Sequence, residues 1–457
     1  MKNIAAILKP FLKKEWLNPA EAIKNPLLVN IVIVGSITFA VKIIGFYKET
    51  VVAAYFGLSE LLDTFFIAFL IPSFIQNVFI NALKSIFIPN YIQELESSGN
   101  KGSFQMLVFI LVFGICVALS LFTLVFSEFF LDIMFKGHSP SYYALIRSQL
   151  YVLLPCVFFW GFGSILSGLL EIDNKYVFTS ASGVFIAISI IICLKFFKDS
   201  MGDQVLAIGT LIGSSLGFLT VLIVAMRFKI LRFGIPVFNK NTRSMIRQLF
   251  PKVSSGLLSG LNNFVDQFFA AQLAVGSIAA LNYGLRFPAF TISILILALG
   301  NVLLPHFSRL VNTDIKKAYT QLFFILRLLF FGALCVAIVL ILFSNNIVEF
   351  FFERKEFTSE DTVIVANVQK IAFIYVPFYI CTLVLVRFLT SINRNSFMAW
   401  VSLLSLTLNI ILNIILIKYF KVYGLIMATT IIYIITSIIF VTFTLKQRKL
   451  AFKQLNT

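Results

Sequence analysis

The residues best suited to chemistry in this chain are charged side chains that interrupt long apolar stretches. Arg286 stands at the start of one such stretch, and Lys42, Lys48 and Glu49 fall in a similar segment near the N-terminus. A charge at membrane depth costs roughly 3 kcal/mol on insertion scales, so it usually faces a cavity or a partner. Because most of these side chains are cationic, the pattern favours binding of an anionic group.

A second set of polar residues follows Pro72 within an apolar segment. Gln76 comes first, and Asn77, Asn81 and Lys84 are spaced i, i+4 and i+7, which places the latter three on one face of a helix. Pro72 permits a kink in that helix. The stripe predicts the lining of a polar cavity, and hydrogen bonding between packed helices is the alternative.

The N-terminal cations leave more than one interpretation open. Gly45 lies between Lys42 and Lys48 and could bend the helix so that both amines reach one cavity. Lys42 and Glu49 are seven residues apart on one helical face, so an internal ion pair is an alternative. Lys48 could instead extend to the outer membrane interface.

The elements that hold these residues are predicted to be membrane-spanning helices. The chain has 457 residues, of which 59% are hydrophobic and 12% are charged. About 20 apolar residues span a bilayer core, and the alternation typical of a β-barrel is absent. We therefore predict an all-α polytopic membrane protein with about twelve spans, near 27–46, 62–89, 104–127, 148–170, 176–194, 203–226, 247–272, 283–306, 319–344, 365–390, 396–418 and 421–445.

The net charge of +17 follows membrane topology and does not indicate nucleic acid binding. Basic residues concentrate in 2–24, 227–247, 309–317 and 446–453, all assigned to one side of the membrane. Such asymmetry is the positive-inside bias, which predicts that both termini are cytoplasmic.

The chain is predicted to consist of two lobes of six helices each. A basic cytoplasmic linker, 227–246, separates an N-lobe at 27–226 from a C-lobe at 247–445. Residues 1–26 form a predicted cytoplasmic or interfacial segment, and residues 446–457 a cytoplasmic tail.

A weak internal repeat supports this division. A shift of 216 positions superposes Pro72 on Pro288 and Pro89 on Pro305. An even number of helices per half makes the repeat parallel, related by a pseudo-twofold axis along the membrane normal. A central cavity between the lobes is expected.

Several local strings carry a family resemblance over roughly residues 35–95 and 245–310. They are Lys42-Ile-Ile-Gly-Phe-Tyr-Lys-Glu49, Ala53-Ala-Tyr-Phe-Gly57, Asp63-Thr-Phe-Phe-Ile-Ala-Phe69, Pro72 and Phe87-Ile-Pro89. The pattern resembles the MviN/MurJ family, the lipid II flippases of the multidrug/oligosaccharidyl-lipid/polysaccharide exporter superfamily. The two-lobed layout extends the resemblance to the whole chain.

The resemblance implies a flippase that moves a lipid-linked cell-wall precursor from the inner to the outer leaflet by alternating access. The precursor would be an undecaprenyl-pyrophosphate-linked sugar, and a bacterial cytoplasmic membrane would be the location. The family's substrate positions match Lys42, Lys48, Asp63, Gln76, Asn77 and Arg286, and Lys84 joins them on helix geometry.

Two departures from the family pattern weaken the argument that the substrate is lipid II. Gln76 and Asn77 replace an arginine pair, which removes bidentate phosphate donors. The family's usual fourteen helices also exceed the twelve predicted here. A flippase for lipid-linked O-antigen or exopolysaccharide units is therefore an alternative, and a drug/cation antiporter is a more distant one.

The resemblance also implies a cation site in the C-terminal lobe. Asp266, Asn409, Asn413 and Thr429 match the positions that bind sodium in some family members. Oxygen ligands suit a hard cation, and the i, i+4 spacing turns both asparagines to one side. Sodium or a proton on Asp266 could couple transport, whereas simple hydrogen bonding of the two asparagines to neighbouring helices is the alternative.

Nothing in the sequence predicts an enzyme. The two histidines, His138 and His306, lack partners at metal or catalytic spacing, and no phosphate-binding loop is present. Apart from a coupling ion, we expect no cofactor. The expected partners are a lipid-linked anionic sugar precursor and membrane lipids, with the chain acting as a monomer.

Overall fold

The structure is a computed structural model that describes residues 26–97, 100–134 and 138–454, and every regular element in these ranges is helical. The predicted segment 1–26 lies outside the described residues except for its last residue. The helices are α1 Pro26–Phe56, α2 Glu60–Ile75, α3 Asn81–Glu96, α4 Lys101–Met134, α5 Pro140–Ile172, α6 Tyr176–Ser182, α7 Val184–Phe196, α8 Lys198–Met201, α9 Val205–Arg227, α10 Lys240–Ala271, α11 Ser277–Gly284, α12 Arg286–Thr313, α13 Ile315–Leu342, α14 Ser344–Phe352, α15 Ser359–Ser391, α16 Asn395–Phe420 and α17 Val422–Gln454. A π-helical turn, Gln76–Ile80, joins α2 to α3.

Many of these helices are long and apolar enough to cross a membrane. Among the described residues, nine helical stretches meet that condition: Glu60–Glu96, Lys101–Leu131, Pro140–Ile172, Tyr176–Phe196, Lys198–Arg227, Ile315–Leu342, Ser359–Ser391, Asn395–Phe420 and Val422–Lys453. The chain is therefore an all-helical integral membrane protein. Twelve spans and two symmetric lobes stay predictions.

Several predicted boundaries were wrong because a hydrogen-bonded helix continues through polar residues that hydropathy excludes. The first span, predicted to end at 46, runs on to Phe56. α10 begins at Lys240, inside the predicted linker 227–246, because the Asn239 side chain accepts a hydrogen bond from the Thr242 N–H and caps the helix. α17 likewise continues to Gln454 through most of the predicted tail.

The eighth predicted span, 283–306, is interrupted in the structure. α11 ends at Gly284 and α12 begins at Arg286, so Pro288 lies in the first turn of a helix. A first turn tolerates proline because its N–H groups have no helical partner. Pro72, its counterpart in the sequence repeat, lies inside α2.

The described chain packs into two compact units, of which the first ends at Gly276 and the second begins at Ser277. α10 therefore packs with the first unit, mainly against α3 and the π-helical turn. The sequence predicted this helix in the second lobe. Two glycines of α10, Gly256 and Gly260, account for this close packing.

Aromatic side chains organise the core of the second unit. Phe388 of α15 contacts Phe307 of α12 and Tyr319 of α13, with ring centroids 5.3 and 4.9 Å apart, and all three side chains are buried. Aromatic pairs at this spacing add to the stabilisation from buried area. They tie α12, α13 and α15 together.

Candidate functional site

The π-helical turn sets the orientation of the polar stripe that follows Pro72. The Asn81 N–H bonds to the Gln76 carbonyl, a span of five residues that inserts one extra residue into the helix. Asn77 and Asn81 both lie on an exposed face, and the Asn81 amide donates to Asn77 Oδ1 at 3.4 Å. Gln76 is half-buried.

Lys84 does not extend the exposed amide face formed by Asn77 and Asn81. Its Nζ lies 2.7 Å from Glu171 Oε1 at the end of α5, and both side chains are 27% exposed. The prediction of one polar stripe assumed a regular helix. The extra residue of the π-helical turn rotates the residues that follow it about the helix axis, relative to that regular helix. An ion pair across two helices is therefore the role that the structure gives to Lys84.

The N-terminal cations also differ in their surroundings. Lys48 Nζ lies 2.7 Å from Oε1 of Glu49, whose side chain is only 8% exposed. Lys48 thus balances the charge of a buried carboxylate, an arrangement that the sequence did not predict. Lys42 is half-buried on α1.

Asp63 serves as an anchor for the end of the first unit. Its carboxylate is buried, and Oδ2 accepts a hydrogen bond from the Gly276 N–H at 2.7 Å. Gly276 has φ +88°, and a Cβ there would lie 2.7 Å from the Leu58 carbonyl oxygen. Only glycine fits this turn, which Asp63 fastens to the beginning of α2.

Arg286 is positioned by the break between α11 and α12. It is the first residue of α12 and is half-buried. The break packs tightly on α15, since a Cβ on Gly284 would lie 2.5 Å from Val368 Cγ1. Gly284 therefore lets the junction between α11 and α12, which carries Arg286, lie close against α15.

The close contact between α10 and the π-helical turn was missed at the sequence level. A Cβ on Gly256 would lie 3.3 Å from the Val78 carbonyl oxygen, and one on Gly260 would lie 3.1 Å from Val78 Cγ2. Phe264, one turn further, packs edge-on against Phe74 with centroids 5.7 Å apart. The signal was available, because Gly256-Leu-Leu-Ser-Gly260 is a small-xxx-small motif of membrane helices.

A buried carboxylate that contacts the beginning of α10 was also missed. Glu94 is 1% exposed and accepts from Asn239 Nδ2 at 2.8 Å and from Asn241 Nδ2 at 2.7 Å. Buried charge needs several donors, and these amides supply them. Glu94 thereby fastens the beginning of α10 to the end of α3.

The segment before α10 is bonded to the same region. The Arg232 N–H donates to Gln105 Oε1 at 2.8 Å, and the Val237 N–H donates to Ser103 Oγ at 2.8 Å. Gln105 and Ser103 are buried at the beginning of α4. The connection 228–239 is therefore hydrogen-bonded to the first unit and is not a free linker.

An apolar cavity of about 600 Å³ lies between α2, α4 and α10. Its two hydroxyls are used within α4, because Thr123 donates to the Leu119 carbonyl and Ser127 to the Leu124 carbonyl. Phenylalanines form much of the wall: Phe74, Phe79, Phe122, Phe126, Phe129, Phe130 and Phe264. Its chemistry suits hydrocarbon, not a charged head group.

The four residues of the predicted cation site fall in different units. Asp266 belongs to α10 of the first unit, and Asn409, Asn413 and Thr429 to α16 and α17 of the second. The two asparagines are buried, and Asn413 Nδ2 donates to Asn409 Oδ1 at 3.1 Å. Thr429 Oγ1 donates to the Leu425 carbonyl. The predicted shared face of the asparagines is thus present, and ion binding stays a prediction.

Comparison with known proteins agrees with the family resemblance. The family model described as "Lipid II flippase MurJ" matches residues 52–456. A probable lipid II flippase MurJ of Buchnera aphidicola subsp. Acyrthosiphon pisum is 26% identical over 447 residues, covering 93% of this chain and 84% of the relative. One of Synechocystis sp. is 25% identical over 441 residues, covering 90% and 80%.

Solved structures give the same result. A lipid II flippase MurJ in the inward closed conformation superposes with a TM-score of 0.78 at 27% identity, covering 91% of this chain and 87% of that one. An inward-facing multidrug resistance transporter of the MATE family also has a TM-score of 0.78, covering 93% and 99%, but at 14% identity it shows only a shared fold. With a family model matched across nearly its whole length, the chain belongs to the MurJ family of lipid II flippases.

Proposed function

We propose that this chain translocates lipid II, a lipid-linked peptidoglycan precursor, from the inner to the outer leaflet of a bacterial cytoplasmic membrane. The observation that carries the proposal is the match of the lipid II flippase family over residues 52–456. The inward closed lipid II flippase, similar over 91% of the chain, supports it. The family consists of transporters and not of catalytic enzymes.

The physical problem in this transport is the head group. A pyrophosphate loses its hydration in the membrane core, and cationic side chains must replace that hydration while the prenyl tail stays in lipid. We propose Lys42 and Arg286 as the main cations, since each is half-buried on an apolar helix. Asn77 and Asn81 would supply neutral hydrogen bonds.

Lys48, Asp63 and Lys84 have other roles in this proposal. Lys48 and Lys84 neutralise Glu49 and Glu171, and Asp63 anchors Gly276. Gln76, half-buried beside Asn77, stays in the proposed substrate set. The proposed substrate set thus contains fewer cations than the sequence suggested.

The finer architecture is also a proposal. It comprises twelve spans in two six-helix lobes related by a parallel pseudo-twofold axis, a central cavity, and both termini in the cytoplasm. Alternating access would expose the cavity first to the inner and then to the outer leaflet. A negative interior assists the outward movement of an anion.

Sodium or a proton would reset the cycle. Asp266 offers a carboxylate, and Asn409, Asn413 and Thr429 offer neutral oxygens, which suit a hard cation. Among the described residues, no cluster of three or more His, Cys, Asp or Glu residues could hold a metal ion. A site of this composition would therefore depend on a single carboxylate.

Complementation tests the substrate assignment. We expect the chain to restore growth when a bacterial host is depleted of its lipid II flippase. Gln76 and Asn77, in place of the family's arginine pair, favour the second candidate, a flippase for lipid-linked O-antigen or exopolysaccharide units. Rescue of a host lacking that flippase, without rescue of the first host at equal protein level, would select the second candidate.

A further inference from the structure

A polar cavity of about 490 Å³ lies between α3 and the first half of α10. Its described lining residues are Ile86, Ser244, Arg247, Gln248, Pro251 and Lys252. Those from α10 follow the spacing i, i+3, i+4, i+7 and i+8, so one face of this helix forms most of the wall. All the lining residues belong to the first unit.

The cavity is positively charged. Arg247 and Lys252 line it, and none of the described lining residues is acidic. Both side chains are exposed, and neither takes part in the salt bridges found in the described part of the chain. Glu94, at the same end of α3, is buried and bound by asparagine amides. Both positive charges therefore remain to attract an anion.

The neutral side chains of the cavity add a hydrogen-bond donor. Gln248 is fixed at both ends of its amide, because Oε1 accepts from Asn90 Nδ2 at 3.4 Å and Nε2 donates to Ser244 Oγ at 3.1 Å. Ser244 Oγ is the acceptor in that bond, so its hydroxyl hydrogen can be donated to a ligand. A guanidinium, an ammonium and a hydroxyl in one cavity suit the oxygens of a phosphate group.

The cavity lies at the depth of lipid head groups. The span Glu60–Glu96 is about 55 Å long at 1.5 Å per residue, so about 12 Å at each end extends beyond a hydrocarbon core of about 30 Å. Asn90 lies about 9 Å before the end of this span and contacts Gln248. Arg247, next to Gln248, is therefore outside the core. Lys252 lies about 7.5 Å further along α10, near the edge of the core.

We propose that this cavity binds the diphosphate of the lipid-linked precursor at the inner membrane surface, before the head group enters the membrane. The inference rests on the proposed function and adds a loading site to it. Two linked phosphates offer oxygens to both Arg247 and Lys252, whose long side chains can converge over one turn of helix. Phosphatidylglycerol has the same phosphate chemistry but only one phosphate, so it neutralises less of the charge.

Native mass spectrometry of the purified full-length chain tests the proposal. Undecaprenyl diphosphate, undecaprenyl monophosphate and dioleoyl phosphatidylglycerol are titrated separately into Arg286→Gln, which lacks one proposed cation of the transport site. We expect preferential retention of the diphosphate, and about tenfold weaker retention once Arg247→Gln or Lys252→Gln is added, because charge-assisted contacts are lost. Adding Arg247→Lys instead should preserve part of the retention, since it keeps the charge but not the paired hydrogen bonds.

Lys240→Gln is the matched control. Lys240 is an exposed cation on the same helix, about 10 Å before Arg247, and is not among the described lining residues of the cavity. Equal losses from Lys240→Gln and Arg247→Gln, or no loss from either cavity substitution, would overturn the proposal. Retention of phosphatidylglycerol or the monophosphate as strong as that of the diphosphate, and lost with the same substitutions, would overturn the assigned ligand.

Failure of this site and failure of the proposed function give different results. If the wild type rescues a host depleted of its lipid II flippase, while the cavity substitutions change neither rescue nor diphosphate retention, the loading site is wrong and the function stands. If the wild type does not rescue that host, yet diphosphate retention depends on Arg247 and Lys252, the site stands and the lipid II assignment is wrong.

Discussion

At the scale of single residues, two of the unusual cations, Lys84 and Lys48, pair with carboxylates of the protein itself. Lys84 and Glu171 join α3 to α5, and Lys48 covers the carboxylate of Glu49. A buried carboxylate without its partner is costly, so such cations are bound to the protein itself. The sequence identified both cations as unusual but did not predict that Lys84 pairs with Glu171, because the two residues are 87 positions apart and are brought close only by folding.

The Lys84–Glu171 pair is expected to contribute to stability. Glu171→Gln leaves Lys84 without its counter-charge and should lower the unfolding free energy by roughly 1 kcal/mol, a figure that allows for the partial exposure of the pair. The exchanged variant Lys84→Glu/Glu171→Lys should regain most of the loss. Thermal unfolding in detergent measures both effects.

A more exposed ion pair provides the control for this measurement. Glu128 in the Arg147–Glu128 pair is 68% exposed, so Arg147→Gln should change stability little. If the exchanged variant were no more stable than Glu171→Gln, Lys84 would instead have a role that requires its positive charge in place.

Arg286 is expected to act through its charge. Arg286→Glu should reduce head-group transport at least about tenfold, because a charge-assisted contact is worth roughly 1.5–3 kcal/mol. Arg286→Lys should retain part of the activity. Transport of fluorescent lipid II in proteoliposomes measures this, at matched protein incorporation; undiminished transport by Arg286→Glu would make the residue structural.

At the scale of elements, α10 is held to the first unit at its beginning and along its middle. Gly256 and Gly260 let it approach the π-helical turn, and Glu94 binds the asparagines at its beginning. Sequence periodicity located α10 to within a few residues of its C-terminal end, but its neighbours were not predicted. A local sequence pattern shows that a helix has a glycine face. It does not show which helix packs on that face, because the partner residue is far away in the sequence.

Substitution of the α10 glycines should disrupt this packing. Gly260→Leu inserts a side chain where a Cβ is already 3.1 Å from Val78, and it should destabilise the protein by roughly 1–3 kcal/mol. Gly114→Leu is the matched control, because a Cβ at Gly114 meets no atom within 4 Å. Thermal unfolding of both variants, side by side, is the measurement, and equal melting temperatures would contradict the packing argument.

The docked connection before α10 is expected to open when Glu94 is changed. Glu94→Gln removes the charge that two asparagine amides bind, at a cost of roughly 1–3 kcal/mol. Trypsin should then cleave faster after Lys229 and Arg232. Gln93→Glu, which alters charge at the neighbouring position but not the bonded carboxylate, should leave the rate unchanged, and similar rates in all three proteins would refute the role of Glu94.

At the scale of the whole molecule, the proposed orientation follows from the distribution of basic residues. Six of them lie in 227–247 and four at the end of α17, in 446–453. Positive segments are retained in the cytoplasm. A green fluorescent protein fused after Thr457 should therefore fluoresce, and alkaline phosphatase inserted at Lys355 should be active. The reverse pattern would invert the proposed topology.

The sequence by itself determined that the chain is an all-helical membrane protein of the flippase family. Hydropathy and charge asymmetry are properties of composition and order, and they survive errors of several residues in each helix boundary. It also indicated Lys42 and Arg286 as candidates for binding the head group, since a charge in an apolar helix can be recognised without a structure.

Only the tertiary structure decided what each polar side chain contacts. The π-helical turn after Pro72 rotates the residues behind it, so Asn77 and Asn81 share an exposed face while Lys84 turns to Glu171. Asp63 meets Gly276 across 213 residues of chain, and α10 joins the first unit through two glycines. Such contacts depend on the direction in which each side chain leaves its helix and on which distant segments pack together. One extra residue in a single helical turn is enough to give a side chain a different partner.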